Sequence, residues 1–234
     1  MTPAVGAVAG PAQHPPTWLL HRARTTSRWL IRRRYDVRVH GAGHVPTGPV
    51  IVAANHTGVI DGPLLAIFGP RPVHALTKEE MFHGRLGRFL RQAGQIELDR
   101  ERTDLRAIRT CLLVLDRGGA VGIFPEGNRG AGDLTHFRNG AAYLALVTGA
   151  PVVPLMMYGT RPPGGGKDAL PDHGTRIDLV YGAPYRVEAR PWPRTKTLVA
   201  ATADALHARL RDELEAGLAS TGQSLPGPIP APSA

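Results

Sequence analysis

Short apolar runs alternate with longer amphipathic stretches along most of the chain. The runs are rich in Val, Ile and Leu, which is typical of buried strands. The amphipathic stretches carry apolar residues at three- and four-residue spacing, which predicts helices with one buried face. This alternation predicts an α/β fold with a mainly parallel central sheet flanked by helices. The six predicted strands cover 49–54, 73–77, 95–99, 120–124, 151–157 and 176–181.

The stretches with the helical pattern lie between these strands and after the last one. Three of them are followed by Gly94, Gly118 or Gly149, and glycine is the residue that most often ends a helix in the left-handed conformation. The pattern therefore places helix ends at these glycines. The predicted helices begin at Leu64 and cover 84–94, 104–118, 139–149 and 195–218.

The chain of 234 residues has room for one α/β domain with a well-buried core. Its first and last stretches are rich in Ala, Pro and Gly, which predicts disorder for 1–16 and 221–234. Between them, we interpret 17–40 as a basic amphipathic helical segment and 41–220 as the α/β domain. Within the domain, the glycine- and proline-rich stretch 159–174 is expected to be a flexible loop.

The segment 17–40 mixes Trp and Leu with arginine and has no acidic residue before Asp36. Indole side chains prefer the headgroup level of a bilayer, and guanidinium groups attract anionic lipid. The residues from Trp18 to Arg34 therefore suit an amphipathic helix docked on an anionic membrane surface. The alternative is a basic helix that packs on the domain through its Trp and Leu side chains.

The net charge of +9 favours an anionic partner, such as nucleic acid, a lipid surface or a phosphorylated substrate. No stretch approaches the roughly 20 consecutive apolar residues of a membrane-spanning helix, and the first residues lack the pattern of a signal peptide. We therefore expect a soluble or peripheral intracellular protein. The single cysteine, Cys111, excludes an intramolecular disulfide, and ten histidines without ligand spacing indicate no metal site.

The stretch ANHTGVIDGP places His56 and Asp61 directly after the apolar run at 49–54. In a continuous helix, side chains five residues apart point roughly 140° away from each other, so the two can meet only if His56 lies in a loop before the helix. Gly58 permits that bend, and Asp61 suits a helix N-terminus. An imidazole paired with a carboxylate can act as a general base for a hydroxyl. The alternative is a loop histidine followed by an ordinary helix-capping aspartate.

A second polar turn, FPEGNRG, follows the predicted strand at 120–124. Pro125 and Gly127 end that strand sharply and leave Glu126 and Arg129 at its carboxyl end. Arginine binds phosphate through a two-pronged contact, and the backbone amides of a glycine-containing turn add donors. Because open α/β sheets place their sites at the carboxyl ends of the strands, the two loops together predict one site.

The two motifs, about seventy residues apart, resemble those of the glycerolphosphate and lysophosphatidate acyltransferase family, which carries an Asn-His-x4-Asp block and then a Phe-Pro-Glu-Gly-Thr-Arg block. The stretches LTKEEMF, GQIELDR, FRNGAAYLA and GAPVVPL resemble further blocks of that family, and the likeness covers about residues 37–190. Two positions depart from the family pattern: Asn128 stands where the family has threonine, and Arg138 where it has lysine. Both departures keep the polarity or the charge, so they bear on the acceptor and not on the reaction class.

The resemblance implies an O-acyltransferase of phospholipid biosynthesis. His56 takes the proton of an acceptor hydroxyl as its oxygen attacks an acyl thioester, and Asp61 orients the imidazole. A thioester is already activated, so no covalent acyl-enzyme is needed, in agreement with the absence of a Gly-x-Ser-x-Gly motif. The donor is an acyl-CoA or an acyl-carrier protein, and no cofactor is expected. The implied substrate-binding residues are Asn55, Lys78, Arg100, Glu126, Gly127, Asn128 and Arg129.

We therefore expect transfer of a fatty acyl group to the free hydroxyl of lysophosphatidate (1-acylglycerol-3-phosphate), giving phosphatidate, by a peripheral enzyme on the cytoplasmic face of the cell membrane. Lipid substrates favour membrane docking of the basic segment. One alternative is the same chemistry on another lyso-lipid or a glycolipid, for which Arg129 is the discriminating residue. Another is a basic nucleic-acid-binding protein; since the chain has no recognisable base-reading motif, no nucleic-acid partner is expected. No role in acyl-chain length is assigned to the apolar stripe of Phe82, Leu86, Phe89 and Leu90.

Overall fold

The computed structural model of the protein describes residues 13–230. Within that range, strands and helices alternate, and all six predicted strands form close to their predicted bounds. The strands are β1 (Asp36–His40), β2 (Val50–Ala54), β3 (Val73–Lys78), β4 (Ile96–Leu98), β5 (Ala120–Ile123), β6 (Val152–Tyr158) and β7 (Arg176–Tyr181). The α-helices are α1 (Trp18–Arg34), α2 (Asp61–Phe68), α3 (Gly84–Gln92), α4 (Leu105–Asp116), α5 (Gly140–Thr148) and α6 (Lys196–Thr221).

The strands form one sheet in the order β1-β7-β6-β2-β5-β3-β4. Every neighbouring pair is parallel except β6 and β7, which are antiparallel. The predicted α/β fold with a mainly parallel central sheet is therefore confirmed. β2 lies in the middle, between β5 and β6. The loops that follow these three parallel strands consequently meet at one edge of the sheet.

Residues of β2 pack on both faces of the sheet, since successive side chains of a strand point to opposite sides. Ile51 and Ala53 belong to a core cluster shared with α4, α5 and α6. Val50, Val52 and Ala54 belong to a second cluster shared with α2. Helices on both faces explain why the whole of β2 is buried, as is typical of a central parallel strand.

The basic segment that was predicted to be helical over 17–40 is a helix only as far as Arg34. Residues Asp36–His40 form β1, an edge strand that pairs in parallel with β7. The predicted helical segment is therefore wrong at this end. Polar and apolar residues alternate in DVRVH, with Val37 buried and Arg38 exposed, and a two-residue period is that of a strand.

One face of α1 contacts α2 through two arginines, and the same helix buries Leu20. Arg28 donates from Nε to the carbonyl oxygen of Ile67 (2.7 Å) and from Nη2 to that of Gly69 (2.7 Å). Arg24 donates to the same two oxygens. These carbonyls end α2, where no further helical turn supplies donors, so α1 provides the C-terminal cap of α2. Burial lowers the pKa of Arg24 to about 10.

The opposite face of α1 is uncovered. Trp18 and Trp29 are 52% and 56% exposed and share a helical stripe with Arg22 and Arg33. The Arg33 guanidinium lies 4.8 Å from the centre of the Trp29 ring, within cation–π range. Within residues 13–230, no helix combines the length and the apolar composition needed to cross a bilayer.

The segment after α6 makes specific contacts, although its composition predicted disorder from Thr221, the last residue of α6. Gln223 donates from Nε2 to the carboxylate of Asp178 (2.9 Å), and the carbonyl oxygen of Gly227 accepts from a buried arginine (2.5 Å). Composition does not register such single long-range contacts, which is why it gives the wrong description here. The outermost residues of both predicted disordered ends lie outside the described range, and the limits of the predicted domain stay predictions.

Candidate active site

The loop after β2 brings His56 and Asp61 together, as the sequence predicts. The strand ends at Ala54, and Asp61 is the first residue of α2. Its Oδ2 accepts hydrogen bonds from Nδ1 of His56 (2.8 Å) and from the backbone amides of Thr57 (2.7 Å) and Gly58 (2.9 Å). Asp61 is fully buried, and its carboxylate at the N-terminus of α2 is also stabilised by the helix dipole.

His56 lines a cavity, and Asp61 holds one of its two ring nitrogens. In a neutral imidazole, a hydrogen on Nδ1 that the carboxylate accepts leaves the lone pair on Nε2. The imidazole stacks on Phe124, with the ring centres 4.1 Å apart. A ring fixed by a carboxylate and an aromatic neighbour is oriented to accept a proton at Nε2.

Asn55 holds the loop to β6. Its side chain donates from Nδ2 to the carbonyl oxygen of Met157 (3.1 Å) and accepts at Oδ1 from the Met157 amide (2.7 Å). The residue is fully buried, so its amide is used inside the protein. The structure thus shows the Asn55 side chain extending the backbone pairing of the sheet, and its predicted contact with substrate stays a prediction.

Thr160 and Arg161, which follow β6, make hydrogen bonds to the same loop. The hydroxyl oxygens of Thr160 and Thr57 lie 2.6 Å apart and share a hydrogen bond. The Arg161 guanidinium is 2% exposed; it donates from Nε to the carbonyl oxygen of Thr57 (3.0 Å) and from Nη2 to that of Gly130 (3.1 Å). Arg161 therefore joins the loop after β2 to the turn after β5.

Glu126 also connects these two segments. Its Oε1 accepts a hydrogen bond from the backbone amide of His56 (2.7 Å). Burial raises the pKa of Glu126 to about 7, and the hydrogen bond from His56 acts in the opposite direction. The side chain is buried and is not among the residues that line the cavity. Its observed place is thus beside the His56 backbone, and its predicted contact with the acceptor stays a prediction.

The turn after β5 is built around Gly127 and Asn128. Gly127 has a φ of +74°, and a Cβ there would collide with the side chain of Arg138. Arg100 donates from Nη1 to the carbonyl oxygen of Gly127 (2.8 Å) and to Oδ1 of Asn128 (2.6 Å). Both departures from the family pattern therefore have a place: Asn128 accepts from Arg100, and Arg138 fills the space beside Gly127.

Arg129 projects from this turn toward the long loop between β6 and β7. It donates from Nη1 to the carbonyl oxygen of Lys167 (2.7 Å) and to Oδ1 of Asp168 (2.9 Å). No partner for Arg129 within the protein is predicted from the sequence. The stretch 159–174, expected to be flexible, thus makes two contacts with the site. Arg161, near its start, donates to the loop that carries His56, and Asp168, near its middle, accepts from Arg129.

The cavity in front of His56 has a volume of about 1180 Å³. Its polar lining includes four of the predicted substrate-binding side chains: Lys78, Arg100, Asn128 and Arg129. Its apolar lining includes residues of α1, α3 and the loop after β2: Leu19, Ala23, Val59, Leu86, Phe89 and Leu90. Three members of the predicted stripe, all on α3, therefore line the cavity, while the fourth, Phe82, precedes α3 and is buried.

Cys111 is buried in α4. Burial raises the pKa of its thiol to about 12. The thiol therefore stays protonated at neutral pH, and a protonated thiol is a poor nucleophile.

The residues that the sequence analysis missed are Thr160, Arg161, Lys167 and Asp168. Arg161 follows the predicted strand at 151–157 almost as directly as Glu126 follows β5. The expectation that polar residues at the carboxyl ends of central strands meet would have selected it. No local signal points to Asp168, because its partner Arg129 is remote in the sequence.

The fold and the site define the class of protein. The Acyltransferase family model matches residues 36–158, more than half of the chain, and this span contains β2, β5 and both motifs. The chain therefore belongs to the acyltransferase family and is an O-acyltransferase.

Relatives and a solved structure agree with this assignment. The 1-acyl-sn-glycerol-3-phosphate acyltransferase of Bacillus subtilis is 28% identical over 186 residues, which cover 78% of this chain and 90% of that protein. A chloroplastic 1-acyl-sn-glycerol-3-phosphate acyltransferase of Arabidopsis thaliana is 27% identical, and the match spans 62% of this chain but 46% of that longer protein. The crystal structure of the 1-acyl-sn-glycerophosphate acyltransferase PlsC from Thermotoga maritima has the same fold, with a TM-score of 0.63, 23% identity, and coverage of 85% of this chain and 80% of that one.

Proposed function

We propose that this enzyme transfers a fatty acyl group from an acyl-CoA or acyl-carrier-protein thioester to the free hydroxyl of lysophosphatidate, giving phosphatidate. The observation that carries the proposal is that His56, paired with Asp61, lines the same cavity as Arg129 and Arg100. A proton acceptor and an anion site thus open into one space. The names of the relatives support the choice of acceptor.

His56 and Asp61 supply the acid–base chemistry in this proposal. Nε2 of His56 takes the proton of the acceptor hydroxyl while the hydroxyl oxygen bonds to the thioester carbonyl carbon. The carbon–sulfur bond then breaks, and the departing thiolate takes the proton back from His56. Asp61 stabilises the positive imidazole between these two proton transfers. No cofactor takes part, and the protonated thiol of Cys111 supports direct transfer without an acyl-enzyme.

The basic end of the cavity suits the phosphate of the acceptor. Arg129 and Arg100 offer guanidinium donors, and Lys78, at the end of β3, adds a third cation. The apolar end, with Leu86, Phe89 and Leu90 of α3, suits acyl chains. A volume of about 1180 Å³ is larger than the roughly 300–1,000 Å³ of a site for one small ligand, which supports a site that holds parts of both donor and acceptor.

The exposed face of α1 supports docking on an anionic membrane surface, on the cytoplasmic side in this proposal. Trp18 and Trp29 alternate there with Arg22 and Arg33, the combination that favours the headgroup level of a bilayer. The covered side of the same helix contributes Leu19 and Ala23 to the cavity. Docking through α1 would therefore bring the cavity close to its lipid substrates.

Thioester release by the purified protein tests the reaction. Acyl-CoA and acyl-carrier-protein donors are offered with lysophosphatidate, with a lysophospholipid that carries a phosphodiester, and with monoacylglycerol. Release that depends on lysophosphatidate, with phosphatidate formed in equal amount, is the expected result. Turnover of monoacylglycerol alone would contradict the proposed acceptor.

Sedimentation with vesicles tests the docking of α1. Trp29→Ala is expected to lower binding to vesicles that contain anionic phosphatidylglycerol. Trp192→Ala is a matched control, because Trp192 is more exposed, at 80%, and lies outside α1. Equal effects of the two substitutions would contradict docking through α1.

A further inference from the structure

The arginine assigned to the acceptor phosphate already holds an anion that belongs to the protein. Nη1 of Arg129 donates to the carboxylate of Asp168 at 2.9 Å and to the carbonyl oxygen of Lys167 at 2.7 Å. Both partners come from the loop between β6 and β7. Carboxylates and phosphates bind guanidinium groups with the same geometry, so Asp168 and a phosphate are attracted by the charge of the same guanidinium.

The loop that carries Asp168 is firmly held at its start and open near its middle. Arg161 is buried at the start and donates to the backbone of Thr57 and Gly130. Asp168, in contrast, is 72% exposed, whereas the Arg129 side chain is 17% exposed. The carboxylate thus approaches Arg129 from the solvent side. An ion pair of this kind contributes roughly 0–1 kcal/mol and can be exchanged for another anion.

Arg129 also has donors that the loop leaves unused. Within residues 13–230, hydrogen bonds to protein acceptors are made by its Nη1 alone, which leaves Nε and Nη2 for a ligand. Arg129 lines the cavity that contains His56. A phosphate in that cavity would therefore approach the same guanidinium from the inner side.

We propose that Asp168 is a specificity-determining residue that competes with the acceptor phosphate for Arg129. The inference rests on the proposed function for the identity of that acceptor. A phosphate monoester carries about 1.5 to 2 negative charges at neutral pH and has three acceptor oxygens, so it competes strongly with a single carboxylate for the charge of Arg129. An acceptor without phosphate gains nothing from Arg129 and leaves the ion pair in place. Asp168 thereby weakens the binding of every acceptor that uses Arg129 and has no effect on the others.

Asp168→Asn is the direct test, with Asp172→Asn as the matched control. Asp172 lies on the same loop and is also exposed. Its substitution removes the same charge from a residue that is not paired with Arg129. Asp168→Asn is expected to lower the KM for lysophosphatidate by about three- to fivefold, the size of an exposed ion pair, and to leave kcat and the KM for the thioester donor unchanged. Asp172→Asn is expected to change none of these constants.

Inorganic phosphate provides a measurement that does not depend on the acceptor. Its dissociation constant, measured by calorimetric titration, is expected to fall in Asp168→Asn by the same factor as the KM. In an Arg129→Ala background, Asp168→Asn is expected to have no effect on phosphate binding, because the guanidinium for which the two anions compete is absent.

The outcomes separate this inference from the proposed function. Equal phosphate binding by the parent protein and Asp168→Asn overturns the inference, whichever acceptor the enzyme uses. A lower KM for the donor, with no change for lysophosphatidate, also overturns it, because Arg129 would then serve the donor's phosphates. Tighter phosphate binding in Asp168→Asn without any turnover of lysophosphatidate upholds the competition at Arg129 and rejects the proposed acceptor.

Discussion

The loop after β2 and the turn after β5 lie at the same edge of the sheet, but the side chains they contribute to the site are held in different ways. His56 and Asp61 belong to a buried network, in which one carboxylate oxygen accepts from three donors and Arg161 holds the neighbouring carbonyl. Arg129 is held by the exposed carboxylate of Asp168. In the proposed function, the geometry for proton transfer is therefore fixed before a substrate arrives, while the proposed anion site at Arg129 can exchange its partner.

The largest expected effect is that of His56→Ala on the fixed side of this comparison. Loss of the general base is expected to lower kcat by about a thousandfold, within the range for acid–base catalysts. Thioester release measures the loss, and the thermal unfolding midpoint checks that the fold persists. Substantial residual turnover in a folded variant would refute the assignment of His56 as the base.

Glu126→Gln tests how the two regions are joined. The folded-state pKa of Glu126, about 7, lies above its ordinary value of 4.5, so ionisation in the folded state costs stability. This cost is absent below pH about 4.5, grows as the pH rises, and is complete above pH about 7. Glutamine avoids it and keeps an oxygen that accepts from the His56 amide. The variant is expected to be more stable than the parent by about 3 kcal/mol above pH 7, with little difference below pH 4.5.

Denaturant unfolding across this pH range measures the difference. Glu188→Gln is the control, because Glu188 is exposed. A stability difference between Glu126→Gln and the parent that stays constant with pH would contradict the raised pKa of Glu126.

Arg161→Gln tests whether the support behind the loop matters for catalysis. Its removal leaves buried carbonyls without donors, and kcat is expected to fall by about a hundredfold, equivalent to about 2.7 kcal/mol, because the loop that carries His56 loses its position. Arg161→Lys keeps the charge and one donor, and is expected to recover part of kcat. The KM values are expected to change little in either variant.

Arg71→Gln is the matched control for that experiment. Arg71 also donates to several backbone carbonyls, those of Pro46, Thr47, Gly48 and Gly118, before β2 and β5 and thus at the opposite edge of the sheet. It is expected to lower stability and to leave kcat intact. Equal losses of kcat in Arg161→Gln and Arg71→Gln would show that Arg161 acts only through the stability of the fold.

The smallest of these effects is expected from Arg129→Ala, at the arginine whose carboxylate partner is exposed. The KM for lysophosphatidate is expected to rise by about tenfold with kcat nearly unchanged, since one charge-assisted contact is lost from binding and none from the proton transfer. Arg190→Ala, at an exposed arginine paired with Glu188, is the control. If Arg129→Ala affected a neutral acceptor as strongly as lysophosphatidate, the proposed acceptor would be wrong.

The sequence predicts local features of this molecule well and remote contacts poorly. The apolar runs predict six strands and the mainly parallel sheet, and the bend allowed by Gly58 predicts the meeting of His56 with Asp61. The missed strand β1 follows an arginine-rich helix directly, so its short alternating pattern reads as a continuation of the basic segment. The contacts of Asn55 and Arg161 depend on β6 lying beside β2 in the sheet. The order of the strands along the chain does not reveal this neighbour.

The way in which α1 caps α2 bears on how the enzyme can be shortened. Arg24 and Arg28 satisfy the carbonyl oxygens of Ile67 and Gly69, and Leu20 is buried against the domain. Truncation before β1 would strip donors from the far end of the helix that Asp61 begins, and it would open one wall of the cavity. The first helix is thus an integral part of the domain that forms the cavity, and its removal is expected to disturb the site.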